Sequence, residues 1–60
     1  MQIKDIEEYA RALWEQSGPK SIAMAAQKAV TLEQEGEAQA AETWRKIEAS
    51  LMTRRGANQG

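Results

Sequence analysis

The sequence predicts an all-α fold: a compact three-helix arrangement closed by two tight turns. Three observations predict it. Helix formers (Ala, Glu, Gln, Lys, Arg and Leu) fill most of the 60 positions, and β-branched residues are scattered without the alternation of a strand. Large apolar residues recur at three- and four-residue steps. Glycine and proline fall only at Gly18–Pro19, at Gly36 and from Gly56 onward, which divides the chain into three segments of similar length.

The first helix is expected from about Ile3 to Gln16. Ile3, Ile6, Tyr9, Ala10, Leu13 and Trp14 form one apolar stripe, while Lys4, Glu7, Glu8, Arg11 and Glu15 fall outside it. Glu7–Arg11 and Arg11–Glu15 are spaced for ion pairs along the helix. Gly18 suits the left-handed residue that ends a helix, and Pro19 cannot continue one.

The second helix is expected from about Pro19 to Glu35, with proline in the first turn where its missing N–H is not needed. Ile22, Ala23, Ala25, Ala26, Ala29, Val30 and Leu32 share a broad apolar arc. Lys20, Gln27, Lys28, Thr31, Gln34 and Glu35 lie on the other side, with Met24 as an apolar intruder. Alanines at the centre of the arc permit close backbone approach, and its two edges are expected to face two helices. This is the role of a central helix.

The third helix is expected from about Glu37 to Arg54. Ala40, Ala41, Trp44, Ile47, Leu51 and Met52 form its stripe, with a heptad-like spacing compatible with antiparallel bundle packing. Arg54 and Arg55 favour the negative end of the helix dipole. Gly36 is expected to separate the second helix from the third. A continuous helix through it is the competing reading, because a helical glycine costs only about 1 kcal/mol. The domain organisation that follows is a three-helix domain over 1–54 and a flexible C-terminal tail over 55–60, where apolar residues run out.

A chain this short buries only about 60% of the surface its unfolded form exposes. With no cysteine and no histidine, a disulfide and the usual zinc-ligand sets are excluded. Self-association or a protein partner is then the expected support. The net charge of −1 predicts no general attraction to nucleic acid or anionic lipid. No apolar run approaches the ~20 residues of a membrane span, and the acidic, amphipathic MQIKDIEEYA does not read as a signal peptide. A cytoplasmic location and no cofactor are expected.

Catalytic machinery is not expected either. Cys–His and Ser–His pairs are impossible without histidine, and isolated glycines make no phosphate loop. Glu33, Glu35, Glu37 and Glu42 cluster near the second turn but lack the calcium-loop pattern, so they read as a solvated acidic surface. Glu48 falls among Trp44, Leu51 and Met52, where a carboxylate must be paired, hydrogen-bonded or at the edge. An edge position, or an ion pair with Arg11 or Lys28 across the bundle, is the expected solution, and a tuned acid or ligand contact is the functional alternative. Trp14 and Trp44 read as core anchors or, with Met24 and Met52, as a candidate protein interface. Arg45, Lys46, Arg54 and Arg55 are the candidate contacts for nucleic acid. The first half of the third helix, EAQAAET, carries the wrong charge to enter a groove, so that reading is the alternative.

The run ARALW…SGPKSIAMAAQKAVTLEQEGEAQAAETWRKI resembles a group of short, uncharacterised all-helical proteobacterial proteins, a domain of unknown function. These pair an "A-x-x-W" helix with an "AAQKA" helix, a glycine turn and "E-x-W-x-x-I". The resemblance spans Tyr9 to Leu51 and implies a bacterial all-α protein, with no site residues to carry over. A weaker similarity is to one tetratricopeptide-type hairpin, through Gly36 and Ala41, with Trp44 one position early for the motif's aromatic. It implies helix–turn–helix packing. The function expected from all of this is a non-catalytic helical protein–protein interaction module, with self-association as its simplest form. The alternative is a weak nucleic-acid-associated regulator.

Overall fold

The computed structural model describes residues 3–57, with side chains described for 5–54. Three helices follow in order, and there is no strand among the described residues: α1 (Ile3–Ser17), α2 (Lys20–Gln34) and α3 (Ala38–Ala57). They pack into a body of 37 × 21 × 19 Å.

Both turns are built by a left-handed glycine, and the two differ for a reason visible in the sequence. Gly18 (φ 61°) donates its N–H to the Trp14 carbonyl at 2.7 Å. The next residue is Pro19, which has no N–H to add a second closing bond. Pro19 is already helical (φ −59°, ψ −23°), so α2 starts at once. Gly36 (φ 79°) is followed by Glu37, which does have an N–H. Glu37 N–H reaches the Leu32 carbonyl at 2.9 Å and Gly36 N–H reaches the Glu33 carbonyl at 3.2 Å, the crossed pair of a Schellman motif. Ala41 N–H then bonds the Glu37 carbonyl at 2.9 Å and opens α3. The helix is therefore broken at Gly36, and the continuous alternative is excluded.

The core joins Ile6 and Ala10 of α1, Ala25 of α2, and Ile47 and Leu51 of α3, with Leu13, Trp14, Ile22 and Trp44 packed against it. Ala29 and Ala41 are also buried. The central helix is α3, not α2 as its broad apolar arc suggested. Packing is most extensive between α2 and α3, next between α1 and α3, and slight between α1 and α2. The physical reason lies in side-chain size. The buried row of α2 is made of Ser21, Ala25 and Ala29, small residues that bring it close to one neighbour but offer little for a second helix to cover. The large fully buried side chains, Ile47 and Leu51, belong to α3, so α1 must come to α3 to complete their burial.

At about 100° per residue, the buried and half-buried positions of α3 sweep roughly 180°, from Ser50 through Ile47, Leu51 and Trp44 to Ala41. The corresponding arc of α2 is narrower than the sequence suggests. Ala23 and Val30, expected inside it, are exposed. Met52 and Tyr9 also stand outside the stripes to which their spacing assigns them, at 53% and 39% exposure. The helix α3 continues three residues past the expected end at Arg54. A single glycine at position 56 costs about 1 kcal/mol in a helix and no proline follows, so composition alone does not stop it. Residues 58–60 of the expected tail lie outside the described residues. No helix is long and apolar enough to cross a membrane among the described residues.

Candidate interaction surface

The four candidate interface residues divide into two pairs. Trp14 and Trp44 are half-buried and pack against the same core cluster from α1 and α3. Trp44 also meets the exposed ring of Tyr9 edge-on, with centroids 5.5 Å apart and planes at 76°. That geometry lets the positive ring edge meet the negative ring face. Met24 (48% exposed) and Met52 (53% exposed) stand on the outer sides of α2 and α3. Met24 lies in a shallow, mostly apolar depression with Lys20, Ala23, Gln27, Lys28 and Thr31.

Two polar seams border the buried arc of α3. On the α2 side, the Arg45 guanidinium forks between Glu33 at 3.3 Å and Glu48 at 3.2 Å. Its hydrogen bonds to Glu33 first, and then to Glu48, raise its pKa above the ordinary guanidinium value. On the α1 side, Ser50 donates to the Glu7 carboxylate at 3.3 Å, and Arg54 Nη2 lies 3.5 Å from the Glu7 carbonyl and 3.9 Å from its carboxylate. Arg54 Nε is buried with no hydrogen-bond partner among the described residues.

These seams correct the expected partners. Glu48 pairs with Arg45 one turn back on its own helix, not with Arg11 or Lys28, and its side chain is 21% exposed at the edge of the arc. The three-residue spacing makes this local pair cheaper to form than one across the bundle. Arg11 pairs with Glu15, as spaced, while Glu7 turns to α3 instead of Arg11. Of the candidate nucleic-acid contacts, Arg45 and Arg54 are engaged by carboxylates, Lys46 is exposed, and the side chain of Arg55 lies outside the described residues. Among the described residues no group of three acidic side chains is placed to hold a metal ion.

Ser21 is a residue that reasoning from sequence passed over. It is fully buried, and its hydroxyl donates to the Gly18 carbonyl at 2.6 Å. A signal for it exists: Ser21, Ala25 and Ala29 fall at four-residue steps, one row of small residues on α2.

Compared with known proteins, the chain matches no family model, no curated protein and no solved structure.

Proposed function

We propose that this chain is a non-catalytic helical protein–protein interaction module and that its simplest partner is a second copy of itself. The observation that carries this reading is the placement of Met24 and Val30, which stand 48% and 37% exposed on the outer side of α2. A single exposed apolar residue needs no explanation. Two on one helix, beside a shallow apolar depression, form a candidate contact patch. The small core supports the same reading. Ile6, Ile47 and Leu51 are the large apolar side chains in the buried set among the described residues, and the rest of that set is alanine and Ser21. A fold with so little buried gains stability by mass action when a partner covers more surface.

The test is light scattering across a dilution series, with circular dichroism on the same samples. The expected result is a mass that rises with concentration while helicity is kept. A helical monomer at every concentration overturns self-association. The alternative regulator reading has less support, because Arg45 and Arg54 are already engaged by carboxylates and phosphate contacts need available cations. Retention on DNA or RNA at about 50 mM salt, weakening as salt rises, is what that reading requires.

A further inference from the structure

We propose that the outer side of α2 is a two-fold interface, on which α2 of a second copy packs antiparallel about an axis through Gln27. This rests on the self-association reading above and names its surface.

The pattern comes first. Lys20, Ala23, Gln27, Val30 and Gln34 follow one another at steps of three, four, three and four, the spacing of a helix–helix seam. All five are exposed. Gln27 is two residues from each of Ala25 and Ala29, so it stands about 160° from both buried alanines. The seam is thus diametrically opposite the face that packs on α3. Met24 and Thr31 flank it on one side.

The register is set by self-complementarity, since in a two-fold pair residue i meets j and j meets i. Gln27 is the midpoint of the fifteen-residue helix Lys20–Gln34. An antiparallel copy centred there lays Ala23 against Val30 of its mate on one flank of the axis and Met24 against Thr31 of its mate on the other, each twice. Met24 and Val30 are large apolar side chains exposed in the single chain. Ala23 is small and keeps the backbones close. The amide of Gln27 meets its own mate on the axis, and a side-chain amide carries both donors and acceptors.

Charge favours the same direction. Lys20 opens α2 and Glu35 is its C-cap. Antiparallel packing sets Lys20 of each copy beside Glu35 of the other, and it opposes the helix dipoles favourably. Glu33 is directed to Arg45 within the chain, which leaves Glu35 for the partner. A parallel pair would stack lysine on lysine. Lys28 lies on the rim, where its stem can carry the ammonium group to water.

The experiment uses the full chain. Wild type, Val30→Glu, Ala23→Glu and the charge variants are compared by sedimentation equilibrium, with helicity checked on each sample. Val30 and Ala23 are exposed, so both substitutions are expected to leave the monomer folded, which the helicity of each sample checks. Each is expected to weaken dimerisation by at least about tenfold, the effect of placing a carboxylate in an apolar contact. Lys20→Glu is expected to weaken it, and adding Glu35→Lys to restore it. The chain has no cysteine, so Gln27→Cys supplies a single thiol on the axis. A short bis-maleimide should join it to its mate, and should not join Met52→Cys. If wild type dimerises and Val30→Glu and Ala23→Glu dimerise equally well, this surface is wrong and self-association stands. If wild type is monomeric throughout, both fall.

Discussion

The hydroxyl of Ser21 donates to the carbonyl oxygen of Gly18 over 2.6 Å, and the same carbonyl accepts the Ser21 N–H at 3.0 Å. One buried side chain therefore ties the first turn of α2 to the residue that ends α1. Replacing Ser21 by alanine removes one of these bonds but leaves the carbonyl satisfied by the other. The expected cost is about 0.5–1.5 kcal/mol, the net worth of one such bond. In a domain of this size that lowers Tm by roughly 4–8 °C per kcal/mol. A thermal melt followed by circular dichroism checks it, and an unchanged Tm would mean the bond contributes nothing.

Gly36 has φ 79°, and a side chain there would meet nothing within 4 Å. The cost of Gly36→Ala is therefore backbone strain alone, about 1–2 kcal/mol. Gly36→Asn should cost less, because asparagine tolerates the left-handed conformation. Chemical denaturation of the two variants should rank them in that order. Equal stability of alanine and glycine at this position would contradict the Schellman turn.

Ile47 and Leu51 are fully buried on α3, whereas Met52 beside them is 53% exposed. Ile47→Ala or Leu51→Ala should cost about 2–5 kcal/mol. A chain of this length has roughly 3–9 kcal/mol in all, from the usual value per residue. Either variant should therefore lose a large share of the total stability, read as a lower denaturation midpoint, while Met52→Ala stays within about 0.5 kcal/mol of wild type. A silent Ile47→Ala would remove α3 from the centre of the fold.

Arg45 links Glu33 on α2 to Glu48 on α3 with its guanidinium partly exposed. Arg45→Met should lower stability slightly, and the difference should shrink as salt is added. Its pKa is raised in the folded state, first by the hydrogen bond to Glu33 and then by that to Glu48. A raised folded pKa gives a contribution that is fully present below the unfolded value and is lost only as pH rises through the folded one. The difference between wild type and Arg45→Met should thus stay constant from neutral pH to about pH 9. A difference that disappears over that range would show that another group is responsible.

Local physics made some of this fold readable. Gly18 and Gly36 end helices because a left-handed residue is needed at those points and glycine supplies it without strain. The difference between the two turns follows from whether the next residue has an N–H. Ile6, Ala10, Ile47 and Leu51 were found by spacing because each lies at the middle of its stripe, where a small error in helix rotation changes nothing. Met52, Val30 and Tyr9 lie at stripe margins. There, a modest rotation decides between core and solvent. Glu48 stands at the margin of the apolar arc, and its partner is Arg45 three residues away on its own helix and not a cation across the bundle.

By itself the sequence determined three helices, the two glycines that separate them and the absence of thiol and imidazole side chains, because propensity, capping and composition act within a few residues. Only the tertiary structure decided that α3 is the shared helix, that Ser21 is interior and that the outer seam of α2 is exposed among the described residues. Those outcomes depend on which helix carries the bulky side chains and how far each rotates to bury them. Such a balance is struck between elements distant in the chain, and no short stretch of residues contains it.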